Sequence, residues 1–118
     1  MSTHTLQLEG MEFYAYHGCY DLEKVIGSRF RVDLTLEADL SEAARTDDIS
    51  KTVNYVKIFE IVRTQMEEKS DLIEHVAQRI SRAVRQAFPQ IVHLTVKVSK
   101  LAPPLGGKLG CVSITLSD

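Results

Sequence analysis

Phe30-Arg31-Val32-Asp33-Leu34-Thr35-Leu36-Glu37 alternates apolar and polar residues without a break. Successive side chains of a strand point to opposite faces, so this segment has one apolar face and one polar face. That is the pattern of a half-buried antiparallel strand. Upstream, Leu6 and Leu8 alternate in one parity, and Met11, Phe13 and Ala15 in the other. The change falls at Glu9-Gly10, where one extra residue in a strand makes a bulge. A loop from His17 to Ser28 joins the two strands.

Downstream the period lengthens. Tyr55, Ile58, Phe59, Val62 and Met66 recur at helical spacing, with Thr52 or Asn54 as the cap. After a polar break at Glu67 to Ser70, Leu72, Ile73, Val76, Ala77, Ile80, Ala83, Val84, Ala87 and Phe88 form a second apolar stripe. Pro89 stops it. Asp71 with Glu74 three residues on has the spacing of a capping box. Alternation then returns in Leu94, Val96 and Val98. A loop carrying Pro103-Pro104 and Gly106-Gly107 follows, and Val112, Ile114 and Leu116 close the chain. The order strand, strand, helix, helix, strand, strand defines an α+β domain. Each helix has one apolar stripe, so both cover one face of a four-stranded antiparallel sheet. The other face is polar, and is either solvated or lines an interior made with further copies.

The chain has 118 residues, enough for one domain spanning 1–118. It carries 14 Lys and Arg against 16 Asp and Glu, a formal charge of −2 with the signs mixed. This offers no basic face for nucleic acid. Apolar runs are too short for a membrane helix, and the start lacks the pattern of a signal peptide. Cys19 and Cys111 are expected as reduced thiols in a cytoplasm. His4, His17, His75 and His93 lie far apart, without H-x-H, H-E-x-x-H or C-x-x-C, so no metal is expected. Phosphate-cradling glycine motifs and the G-x-S-x-G elbow are absent as well.

Four positions carry both a plain structural reading and a chemical one. Glu23 is either a solvated loop acid or a ligand group. Tyr55 is either a core-edge aromatic at the start of a helix or part of a site. Glu74 completes the capping box or, at a helix start, accepts two parallel hydrogen bonds from an amino-heterocycle. Lys100 is either a solvent-facing lysine at a strand end or, beside the stiff Pro103-Pro104 turn, a group held for proton transfer.

These segments together resemble the dihydroneopterin aldolase family of folate biosynthesis over nearly the whole chain. The resemblance is carried by Phe13-Tyr14-Ala15-Tyr16-His17-Gly18, by Glu23 with Ile26-Gly27 and Phe30, and by Asp39-Leu40-Ser41 through Arg45-Thr46-Asp47-Asp48. Thr52-Val53-Asn54-Tyr55, Leu72-Ile73-Glu74-His75-Val76-Ala77 and Lys100-Leu101-Ala102-Pro103-Pro104 complete it in order. Ser28, where glutamine is expected, and Leu105-Gly106-Gly107, where a proline is common, depart from the pattern.

The resemblance implies the tunnelling fold, with ββααββ subunits joined into a barrel. It implies a ring of four, or a homo-octamer of two stacked rings, with active sites between subunits. It implies a cytoplasmic lyase that cleaves dihydroneopterin to hydroxymethyl-dihydropterin and glycolaldehyde, with epimerase side activity. Glu74 would anchor the pterin, helped by backbone around Leu72 and Ile73. Tyr55 and Val53 would come from the neighbouring chain, Lys100 would move protons, and Glu23 would hold the dihydroxypropyl tail. The pterin's own imine accepts the electrons of the breaking bond, so neither metal, cofactor nor lysine Schiff base is needed. Two alternatives accompany this reading: an epimerase of dihydroneopterin or its triphosphate, and a non-catalytic pterin- or purine-binding ring. A Lys100 directed into bulk solvent would favour the second.

Overall fold

The computed structural model describes residues 3–118. Strands β1 (His4–Ala15), β2 (Ser28–Ala38), β3 (His93–Leu101) and β4 (Cys111–Ser117) form one sheet in the order β1-β2-β3-β4. Every pairing is antiparallel. The faultless alternation of the 30–37 segment becomes the centre of the sheet. Leu34 pairs with Leu8 on one side and Val96 on the other. Phe30, Val32, Leu34 and Leu36 are fully buried. The parity change in β1 is a register shift between Leu8 and Met11. Gly10 takes a left-handed φ of 71° there and donates its N–H to Asp33 Oδ1 at 2.7 Å.

The elements between the strands are α1 (Asp21–Ile26), α2 (Ser41–Thr46), a 3₁₀ turn (Ile49–Lys51), α3 (Tyr55–Glu67) and α4 (Ile73–Ala87). Helices α3 and α4 cover the apolar face, as their single stripes require. Ile58, Val62 and Met66 of α3 join Val76, Ala77, Ile80 and Val84 of α4 over Leu94, Val96 and Val98. Asn54 caps α3, its Oδ1 accepting the Val56 N–H at 3.0 Å. α4 ends at Ala87, ahead of Pro89.

The sequence reading needs two corrections and one addition. The His17–Ser28 stretch is not a plain loop, because α1 lies within it. This helix is too short to show a helical period, and its N-terminus is built by Glu23, which accepts the Tyr20 N–H. The 39–54 connection holds α2 and the 3₁₀ turn, opened by Asp39 and Asp48 accepting the N–H groups of Ser41 and Ser50, each at 3.0 Å. The capping box at Asp71 and Glu74 does not form. Leu72 is the N-cap of α4 with no side-chain cap, and Asp71 pairs with Lys24 instead.

The far face of the sheet is polar and, among the described residues, bears no helix. Cross-strand hydroxyl pairs line it, Ser99 with Ser113 at 2.7 Å and Thr95 with Ser117 at 3.0 Å. Among the described residues no helix is long and apolar enough to cross a membrane.

Candidate active site

Strand β3 delivers Lys100 in phase with Leu94, Val96 and Val98. It therefore lies on the helix-covered face, paired with Phe30 of β2 and Val112 of β4. Its ammonium sits 5.9 Å from the Phe30 ring centroid, a favourable placement for a cation over an aromatic. Helix α1 brings Glu23 to the same point, and the two side chains form an ion pair with exposures of 11% and 19%. The hydrogen bond from Lys100 holds the Glu23 carboxyl below its ordinary range, assisted by the Tyr20 N–H.

Tyr20, Leu22, Pro103, Pro104, Leu105 and Val112 surround this pair in a largely apolar cavity of about 480 Å³. The 101–110 loop forms its rim. Ala102 adopts a left-handed φ of 45°, and its N–H donates to the Gly110 carbonyl at 2.8 Å. Gly106 has a φ of 79°, which a proline ring forbids, so the departure at Leu105-Gly106-Gly107 matches the observed backbone.

Gly18 makes room for the carboxylate. A Cβ at that position would overlap the Glu23 carboxyl group.

The remaining sequence candidates lie elsewhere on this chain. Glu74 is an exposed first-turn residue of α4 with no capping duty, and it does not line the Glu23–Lys100 cavity. Leu72 lines a separate depression with Ser70, Asp71, His75 and Arg79. The N–H groups of Ile73 and Glu74 open α4 and have no intrahelical acceptor. Tyr55 begins α3 at 61% exposure, so it is not the core-edge aromatic of the plain reading. Val53 is 1% exposed, which leaves its backbone rather than its side chain available to a ligand. One chain thus joins Glu23 with Lys100 and leaves Tyr55 and Glu74 apart from them. Among the described residues no three His, Cys, Asp or Glu side chains gather as metal ligands.

Sequence reasoning missed His17 beside this pair. It is buried against Phe30, with ring centroids 5.1 Å apart in an edge-on arrangement. Burial, with the Arg79 and Lys100 charges, lowers its pKa to about 4. Its signal was the step from an alternating strand straight into His-Gly.

An antiparallel sheet under two helices, with a part-buried lysine–carboxylate pair at one corner, defines a small α+β domain. The chain belongs to the dihydroneopterin aldolase family, whose family model matches residues 6–117. It is 42% identical over 111 residues to the dihydroneopterin aldolase of Bacillus subtilis (strain 168), covering 93% of this chain and 92% of that one. The Staphylococcus epidermidis (strain ATCC 12228) enzyme is 39% identical over 110 residues, covering 92% and 91%. Among solved structures, Escherichia coli dihydroneopterin aldolase in complex with neopterin superposes with a TM-score of 0.90 at 22% identity, covering 98% of each chain. The Burkholderia thailendensis dihydroneopterin aldolase bound to guanine gives 0.78 at 18% identity, covering 98% of this chain and 90% of that one.

Proposed function

We infer that the chain catalyses retro-aldol cleavage of 7,8-dihydroneopterin to hydroxymethyl-dihydropterin and glycolaldehyde. The observation that carries this reading is the Glu23–Lys100 pair, sheltered in its cavity rather than turned to bulk solvent. A ring that bound pterin without turnover would have no use for it. Lys100, once its ammonium has given a proton to solvent, takes the proton of the hydroxyl on the far carbon of the bond to be broken. That oxygen becomes the carbonyl of glycolaldehyde. The electron pair of the broken carbon–carbon bond flows into the ring imine. Lys100 then returns a proton to the carbon left on the pterin. Glu23 orients the ammonium and accepts hydrogen bonds from the hydroxyls of the tail. Reversal of the cleavage after rotation of the aldehyde gives the epimer, so epimerisation accompanies cleavage.

Glu74 anchors the pterin amine and ring N–H through two parallel hydrogen bonds, a role its uncommitted carboxylate supports. Backbone of Leu72 and Ile73 assists, and Tyr55 with Val53 completes the site from a neighbouring chain. The complexes of relatives with neopterin and guanine support an amino-heterocycle as ligand. The assembly is a ring of four, alone or stacked into an octamer, through the unpaired edges of β1 and β4. Its free thiols, Cys19 and Cys111, suit a reducing cytoplasm. The test is incubation with 7,8-dihydroneopterin, with glycolaldehyde, cleaved pterin and epimer measured separately. Stoichiometric glycolaldehyde and cleaved pterin are expected, and pterin binding without either product overturns the reading.

A further inference from the structure

His17 is the buried titratable group that the reaction scheme leaves without a role. It is 1% exposed and lies between Phe30 of β2 and the loop from α3 to α4. Its Nδ1 accepts the Ser70 N–H at 3.2 Å, which places the ring proton on Nε2. Nε2 is buried and, among the described residues, has no hydrogen-bond partner. The polar contact that the described residues make with this imidazole is therefore through Nδ1.

The Ser70 link is double, because Gly18 N–H also donates to the Ser70 carbonyl at 2.9 Å. Ser70 itself is held from the far side. Arg79 of α4 donates to Ser70 Oγ at 2.8 Å, to the Glu68 carbonyl at 2.9 Å and to the Gln65 carbonyl at 2.8 Å. The fixed end of the link is therefore Ser70, and the end it restrains is His17-Gly18. Five residues beyond Gly18 comes Glu23, whose carboxylate packs where a Gly18 Cβ would stand and grips Lys100.

We propose that His17 is a positioning residue, fastening the start of the Gly18–Glu23 segment to the Arg79-held Ser70 so that Glu23 presents Lys100 to the reacting side chain of the substrate. The proposal rests on the aldolase reading of the Glu23–Lys100 pair. It makes a directional statement: losing the His17 acceptor loosens the proton-moving pair, while the start of α4, fixed independently by Arg79, keeps its place.

The experiment compares His17→Asn with His17→Leu. Asparagine places Oδ1 near the position of Nδ1 and keeps the acceptor. Leucine keeps the bulk and leaves the Ser70 N–H unsatisfied. Each variant is assayed for kcat with 7,8-dihydroneopterin, for hydroxymethylpterin affinity by titration, and for thermal midpoint. Should His17→Leu fail to fold, His17→Gln takes its place, since its amide oxygen reaches one bond too far. The expected result is a kcat about tenfold to a hundredfold lower in His17→Leu, the scale of an ångström-sized misplacement. Product affinity should stay within about threefold, and His17→Asn should recover most of the rate. Equal kcat in all three proteins overturns the proposal. So does a His17→Asn as slow as the leucine variant, or a parallel loss of kcat and affinity. A wild-type protein with no cleavage activity would instead fail the aldolase reading itself.

Discussion

At the residue scale, the position of Lys100 is a sharper datum than its identity. It continues the inward parity of Leu94, Val96 and Val98 and ends over Phe30 beside Glu23. Lys100→Ala should lower kcat by about 10²–10⁴, the usual effect of removing a positioned acid–base group. Product-pterin affinity should stay within about tenfold if, as proposed, Glu74 and backbone hold the ring. Single-turnover kinetics beside a binding titration checks both halves. Glu74→Ala should do the converse, weakening pterin binding by on the order of 2–4 kcal/mol. Its stability should move by only about 0.5 kcal/mol, since no cap is lost. Calorimetry that found a lower thermal midpoint with unchanged affinity would refute this. The sequence reading left Lys100 open between a solvent-facing and a held lysine, and its phase with Leu94, Val96 and Val98 is the signal that decides for the inward one. Glu23 was not legible, because the helix that turns it inward spans six residues and shows no period of its own.

At the scale of elements, the link between the β1–α1 connection and the α3–α4 loop carries both stability and pH dependence. Arg79 fastens Gln65, Glu68 and Ser70 from a largely buried position on α4. Arg79→Ala should destabilise the fold by about 1–2 kcal/mol, because the buried Ser70 and the half-buried Gln65 lose a charged donor together. Denaturant unfolding measures the loss, and hydrogen exchange should show it concentrated in residues 68–72. His17 reads out the same junction against acid. Folded, it stays neutral down to about pH 4, whereas the unfolded chain takes up the proton near 6.5. Unfolding therefore gains protons as pH falls from 6.5 to 4, at a cost in stability approaching about 3 kcal/mol. Above pH 6.5 the group contributes no slope. Glu23, whose carboxyl is held low by Lys100, adds an acid-side loss of the same sign at lower pH. The thermal midpoint of His17→Asn should accordingly vary less than that of wild type between pH 6.5 and 4.5, and parallel curves would exclude His17 as the source. The strands and the two long helices were legible because each buries a periodic face. The 39–54 elements were not, since local Asp side chains rather than burial build them.

At the scale of the whole molecule, the subunit is 52 × 24 × 21 Å with a radius of gyration of 15.7 Å. A compact chain of this length would have about 13.5 Å. The excess reflects long β1 and β2 strands extended along a sheet whose second face, among the described residues, bears no layer. Tyr20, Leu22, Val25 and Ile26 stand exposed at and just before α1, and Tyr55, Val56 and Phe59 stand exposed on α3. Such surfaces, with two open sheet edges, suit association with further copies. If Tyr55 completes a site that Lys100 opens on the adjacent subunit, neither residue need be intact in the same chain. Tyr55→Phe and Lys100→Ala proteins should each be slow alone. Mixed after partial unfolding and reassembly, they form rings in which some sites draw Tyr55 from one variant and Lys100 from the other. With random mixing of equal amounts, about a quarter of the sites should regain both groups, as independent assortment across a heterologous interface requires. Native mass spectrometry of differently tagged chains establishes the exchange, and the steady-state rate then measures the recovery. Recovery near that fraction places the two residues in one shared site. Demonstrated exchange without recovery puts both functions in a single subunit and removes the neighbour from the mechanism.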